Sequence, residues 1–284
     1  LPVFSIFHGN QIRQQLRPQI PQLDVDLRQF VIVESSREPT PVKRTLFCFV
    51  CAALVALQSP ARADLFEGFD SLTGLDSGTS ATQITASGFY GVLRSDPAGL
   101  TGIFQGNSSV FPAQAGAANS YAGMNYDNTG DNGTISTWLL SPVFNLSNGD
   151  KMSFWTRTIA NSSFPDRLEV RLSTSGASTD VGTSATSVGT FATVLTTINP
   201  GLNDTDYPEA WTQYQFTLSG LSGPTSGRFA FRYFVTDAGY FGNNSDYIGI
   251  DSFQYTAVPE PSAISLLVVG LVAAMPKWRR RSEA

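Results

Sequence analysis

Cysteine and histidine are nearly missing: the 284 residues hold two Cys and one His. All three, His8, Cys48 and Cys51, precede residue 64, so the stretch 64–257 has neither residue type. That excludes thiol nucleophiles, Ser-His-Asp triads, thiolate or imidazole zinc sites, histidine bases and disulfides from this stretch. Cys48-x-x-Cys51 has redox-motif spacing but sits inside an apolar run. Charge is scarce too, 14% of residues against 42% hydrophobic. This composition fits neither a disordered polyampholyte nor a bundle of charged helices. Basic charge is the scarcest. Residues 64–257 carry seven Lys and Arg against seventeen Asp and Glu, a net charge of −10. So acidic a stretch repels phosphate backbones and argues against a nucleic-acid partner. Neither Gly-x-Ser-x-Gly nor a phosphate-binding glycine loop occurs, which leaves nucleophile-elbow and nucleotide readings without support.

Long apolar runs are also lacking, but two short ones mark the ends. Lys43-Arg44, the twelve apolar residues 46–57 and Ala61-Arg62-Ala63 form the basic, apolar and small-x-small parts of a signal peptide over 42–63, cleaved after Ala63. Twelve residues fall short of the roughly 20 that span a bilayer. No Met precedes Met124, which makes Val42 the expected first translated residue and 1–41 a mis-called or disordered extension. At the other end Val258-Pro259-Glu260-Pro261 is followed by thirteen apolar residues, 263–275, then Lys277, Trp278 and Arg279-Arg280-Arg281. The arginines stay on the cytoplasmic side of a short transmembrane helix, which leaves the preceding domain outside.

Between these ends the chain is rich in Gly and aromatics: residues 64–257 hold 23 Gly, 15 Phe and 9 Tyr. Apolar and polar residues alternate repeatedly, the mark of strands with one buried face. Leu168, Val170 and Leu172 alternate with Arg167, Glu169 and Arg171, which are expected in solvent. Phe229, Phe231, Tyr233 and Val235, then Tyr214, Phe216 and Leu218, and Met152 and Phe154 repeat the pattern. Further strands are expected at 84–94, 134–140, 190–196 and 247–256, with turn clusters between them. Eight or more short strands over roughly 190 residues predict an all-β, two-sheet jelly-roll-like sandwich. With the ends added, the chain reads as sandwich, signal helix and C-terminal transmembrane helix.

Two resemblances attach to these residues. The tail 258–281 resembles the PEP-CTERM sorting signal. That implies an exosortase cutting near Pro-Glu-Pro, with display at the surface or in the matrix of a Gram-negative bacterium making exopolysaccharide. Residues 65–69 (LFEGF), 140–146 (LSPVFNL), 152–155 (MSFW), 166–173 (DRLEVRLS), Trp211 and 247–251 (YIGID) resemble a choice-of-anchor J domain. That group is similar to cleaved-adhesin and MAM-type jelly rolls of extracellular adhesion proteins, and the resemblance implies the same sandwich over 64–257.

Candidate sites each carry two readings. Jelly rolls bring first and last strands together, so Glu67 and Asp251, helped by Asp246 or Asp166, either hold a structural Ca²⁺, as related domains do, or are ordinary hydrogen-bonded carboxylates. The stretch 127–133 (DNTGDNG) offers oxygen ligands but lacks the EF-hand pattern and reads as a polar turn. Asp204, Asp206 and Glu209 before Trp211 are either a hydrolytic acid pair or a solvated loop. Tyr126, Tyr207, Tyr240 and Phe241 in Gly/Asn-rich loops either stack on sugar rings or plug the sandwich edge. Together these describe a non-catalytic exported adhesion or exopolysaccharide-associated protein. A lectin-like module and an Asp/Glu-dependent secreted hydrolase are the alternatives.

Overall fold

The computed structural model describes residues 64–75 and 78–258. The expected leader at 42–63 and the sorting segment after Val258 lie outside the described residues. In chain order the strands are β1 (Leu65–Glu67), β2 (Thr82–Gln83), β3 (Tyr90–Leu93), β4 (Asp96–Ala98), β5 (Phe104–Gln105), β6 (Ala122–Asn125) and β7 (Thr129–Leu140). There follow β8 (Phe144–Leu146), β9 (Lys151–Thr158), β10 (Leu168–Ser173), β11 (Thr193–Ile198), β12 (Thr212–Thr217), β13 (Thr225–Ala238) and β14 (Tyr247–Thr256). Among the described residues the helical content is a single 3₁₀ turn, Tyr126–Asn128.

The strands form two antiparallel sheets. The front sheet runs β12-β9-β14-β6-β5, with β1 pairing β14 beyond the end of β6. The back sheet runs β11-β10-β13-β7-β3-β2, with β8 on β13 and β4 on β7. The expected all-β two-sheet sandwich is therefore the observed architecture. So is the pairing of first and last strands, in which Glu67 lies opposite Phe253.

The core follows from the alternation. On β9, Met152 and Phe154 point inward, and on β13 Phe229, Phe231, Tyr233 and Val235 do so; all are fully buried. Phe154 meets Phe231 edge-on at 4.7 Å between ring centroids, and Phe144 stacks on Tyr255 at 4.1 Å. Phe253 continues the row to Phe89 and Phe69. Each fully buried ring contributes about 1.5–3 kcal/mol, so a disulfide-free sandwich of this size has an adequate core. Ser252 takes a left-handed φ of 49° and makes a bulge in β14, where its register against β9 shifts between Asp251 and Gln254.

One expectation is corrected here. Glu169 and Arg171 are 9% and 8% exposed, not solvated, and Arg232 on the neighbouring strand is 1% exposed. The segment 174–192, expected as turns to residue 189 and as strand from 190, lies as a strap across the outer face of the back sheet. Val181 and Phe191 from the strap pack with Trp138, Val92, Leu140 and Ala230 in a second small core. Arginines hold the strap by its carbonyls. Arg94 Nε donates to Gly182 O at 2.6 Å, a guanidinium N–H of Arg171 donates to Phe191 O at 3.1 Å, and Arg232 donates to Ala185 O. Glu169 accepts from Arg171 at 2.8 Å and from Arg232 at 3.0 Å, so the buried charges are paired.

Candidate functional site

The four carboxylates proposed as calcium ligands do not form one shell. Glu67 accepts from the Phe69 N–H at 2.7 Å and from the Ser87 hydroxyl. Asp251 accepts from the N–H groups of Gln114 (2.8 Å), Ala115 (3.2 Å) and Ser252 (2.5 Å), which pins the loop 106–120 to β14. The two have no hydrogen-bond partner in common, although their strands pair. Asp166 lies elsewhere and is fully buried. It accepts from Thr158 Oγ1 at 2.5 Å, the Tyr233 hydroxyl at 2.5 Å and the Asp246 N–H at 2.9 Å. Asp246 in turn accepts from the Ser162 hydroxyl at 2.6 Å. Among the described residues no group of three or more His, Cys, Asp or Glu side chains gathers around a point that could take a metal. Each carboxylate is held in its own place by N–H and O–H donors, which keeps the four apart. Burial lifts the Asp166 carboxyl to about 6 against the pull of its three donors, and burial lifts Asp251 as well.

The other acidic candidates are equally local. Asp206 accepts from the Asn203 amide at 2.7 Å and Glu209 from the Asn161 N–H at 3.0 Å, both on the surface, while Asp204 is exposed. The stretch 127–133 is not a turn: it closes the 3₁₀ turn and opens β7. Tyr207 is a plug, 2% exposed, its hydroxyl 2.7 Å from Thr156 Oγ1. Tyr240 and Phe241 are instead 71% and 67% exposed. Their rings meet at 5.0 Å, and Tyr240 lies 6.4 Å from Tyr126. Two of the four expected aromatics thus stand in solvent at one loop end.

The cleft beside them went unseen in the sequence. It has a volume of about 580 Å³ and runs along the free edge of β5. Thr101, Gln105, Asn107, Ser108, Asn119 and Asn125 line it with amides and hydroxyls, the half-buried Phe104 supplies aromatic surface, and the buried Tyr247 backs the wall. Asn125 and Tyr247 are cross-strand partners on β6 and β14, which puts them side by side. The Tyr126 N–H donates to Asp246 O at 2.9 Å, so the chain neighbours of these two cleft residues belong to the aromatic loop end. Gly123 keeps the wall close-packed: a Cβ there would fall 2.6 Å from the Phe104 ring and 2.7 Å from the Tyr247 hydroxyl. Gln105 is fixed through both ends of its amide, donating to Phe69 O and Asn119 O and accepting from the Leu72 N–H. Tyr247 is fixed by hydroxyl contacts with Tyr121 at 3.1 Å and the Asn107 N–H at 3.2 Å. Burial raises both tyrosine hydroxyls above their ordinary range, so they remain protonated hydrogen-bonding groups. No carboxylate lines the cleft. Its chemistry is that of neutral donors and acceptors beside rings. The signal that could have found it was the run of Asn and Gln between 105 and 125, which has no apolar alternation.

No family model and no curated protein matches the chain. Several solved structures are similar to it. The K1 cleaved adhesin domain of Lys-gingipain from Porphyromonas gingivalis W83 is 21% identical over 69% of this chain and 99% of that one, with a TM-score of 0.44. The K3 cleaved adhesin domain of the same protein is 17% identical, covering 69% and 98%, with a TM-score of 0.39. A family 11 carbohydrate-binding module from Clostridium thermocellum, in complex with a β-1,3-1,4-mixed-linked tetrasaccharide, is 14% identical, covering 69% and 97%, with a TM-score of 0.32.

Proposed function

We propose that this chain is an exported, non-catalytic adhesion module that holds polysaccharide at the cell surface or in the surrounding matrix. The observation that carries the reading is the cleft along β5. Amide and hydroxyl side chains there can exchange hydrogen bonds with sugar hydroxyls, while the half-buried Phe104 ring offers apolar surface to the C–H face of a sugar. Tyr240 and Phe241 extend that surface into solvent at the adjoining loop end. The hydrolase alternative gains nothing from the site, because the carboxylates it needs are held within their own surface loops. In affinity electrophoresis through gels containing a neutral polysaccharide, the full chain is expected to be retarded, and Asn107→Ala/Asn119→Ala to migrate nearly as in a plain gel. Equal retardation of that variant would remove the cleft from the account.

Export and sorting belong to the same proposal: leader 42–63, an inner-membrane intermediate held by 263–275, and processing by an exosortase at Val258-Pro259-Glu260-Pro261. Support comes from the order of motif, apolar segment and Arg279-Arg280-Arg281. Mass spectrometry of extracellular material should find chains beginning near Asp64 and ending near Pro261; chains that still contain Trp278 would overturn processing.

A further inference from the structure

The outer faces of the two sheets are not treated alike. The back sheet is roofed by the strap 174–192. The front sheet is roofed only in part, where Phe111, Tyr121 and Trp211 pack over Gly249 and the Arg157 guanidinium lies 4.4 Å from the Phe111 ring centre. Asp251 marks the border of that roof through its bonds to Gln114 and Ala115. Beyond it the strand registers set out an open lattice. One row across the strands is Gln213, Trp155 and Asp251; the next is Gln215, Ser153, Gln254 and Phe66.

These residues share the outer face because their chain neighbours Phe154, Tyr214, Phe216, Phe253 and Tyr255 belong to the core or pack against it. Trp155 is half-buried, Gln213, Gln215 and Gln254 are exposed, and Phe66 is 61% exposed. Among the described residues no other ring packs on Trp155, and its indole N–H has no hydrogen-bond partner.

We infer that this open face is a second binding surface, for a neutral linear polysaccharide, on which a sugar ring stacks against Trp155 while the exposed glutamines hold its hydroxyls. The inference rests on the glycan reading above and adds a separate place of contact. The occupant follows from the lattice. The core of a protein-binding patch is apolar, whereas here the uncharged Gln213, Gln215 and Gln254, which both donate and accept, lie beside the rings, with Arg157 and Lys151 at the two ends of the same face of β9. The Asp251 carboxylate at the border is engaged by the loop, so the face presents no free negative charge to steer a cation. Trp155 and Phe66 stand two strand spacings and one row apart, about 12 Å. A chain of sugars can touch both; a monosaccharide cannot.

The test is affinity electrophoresis of the full chain in hydroxyethylcellulose and β-glucan gels, with intrinsic tryptophan fluorescence read during titration with the same polymers. Trp155→Ala should weaken binding roughly tenfold, the scale of one aromatic contact, and abolish the fluorescence change. Trp155→Phe should retain most of the binding, and thermal unfolding of both should match wild type within a few degrees. Gln213→Ala, which carries no folding risk on an exposed edge, should weaken binding by a smaller factor. If wild type binds neither polymer, the glycan reading itself fails. If wild type binds and Trp155→Ala binds equally, while Asn107→Ala/Asn119→Ala does not, the cleft stands and the sheet-face site is overturned.

Discussion

Asp166 is the residue whose chemistry is furthest from its sequence appearance. Within 166–173 it reads as the polar start of a strand, yet it is fully buried, and desolvation raises its carboxyl to about 6 despite three donors. In the unfolded chain the same group titrates near 4. Between those values the folded state keeps a proton that the unfolded state has released, so stability falls as pH rises through this window. Below about 4 the contribution is fully present, and above about 6 it is gone, a loss of about 3 kcal/mol. Glu169 works in the opposite sense. Burial pushes its carboxyl up, but the Arg171 hydrogen bond and the charge of Arg232 outweigh that and hold it below its ordinary value. Its contribution is present above the unfolded value and lost as pH falls through the folded one. Asp166→Asn should isolate the first effect: its carbonyl oxygen can accept from Tyr233 and the Asp246 N–H, and its amide can donate to Thr158. Denaturant titrations from pH 4 to 7 should show the downward slope in wild type and a flatter profile in the variant. An unchanged slope would assign the pH dependence to another group. No periodicity could have revealed this, since burial of a lone aspartate depends on Tyr233 and Thr158 arriving from distant strands.

Among the elements, the long central strands were legible and the short ones were not. The alternation at 152–154, 167–172, 214–218, 229–235 and 247–256 marks β9, β10, β12, β13 and β14, because half-buried strands must repeat every second residue. Strands such as β1, β5 and β8, with two or three residues each, are too short to show any period. Alternation also says which residues face outward without saying what lies over them, which is why Glu169 and Arg171 were expected in water. The strap that covers them is built of Ser, Thr and Gly, and its attachment runs through backbone carbonyls, which leave no trace in side-chain patterning. Arg232 is its central fastener, lying 3.7 Å from the Phe234 ring centre and 4.8 Å from that of Trp138; burial pushes it down to about 10, still charged at neutral pH. Arg232→Ala leaves Glu169 short of one partner and frees Ala185 O, a loss of about 3–5 kcal/mol for a broken buried pair. Thermolysin should then cut within 174–192, at bonds next to Val181 or Phe191, under conditions where wild type stays intact. A strap equally resistant in the variant would show that the small apolar core beneath it suffices.

At the scale of the whole molecule, a net charge of −10 over 64–257 and the loss of cysteine and histidine from that stretch narrow the chemistry more than any motif does. What remains is a sandwich with neutral polar surfaces at the β5 edge and on the open front face, and aromatic rings at one loop end. The loop rings Tyr240 and Phe241 stood out in the sequence, but their exposure did not, since Tyr207 from the same set is a buried plug. The cleft and the Trp155 lattice were not legible, since both depend on strand register: Gln213, Trp155 and Asp251 are far apart in the chain and become a row only once β12, β9 and β14 pair. The separation of the four carboxylates expected around calcium was hidden for the same reason reversed. Pairing of β1 with β14 was foreseen correctly, but strand adjacency does not fix which donors reach each carboxylate first.

The most direct test of the account measures retention and bond cleavage together. The purified full chain is run through a neutral polysaccharide gel, and the same polymer is assayed for new reducing ends after prolonged incubation. Retardation with no new reducing ends is the predicted result; free migration, or reducing ends that accumulate in proportion to protein, would contradict it.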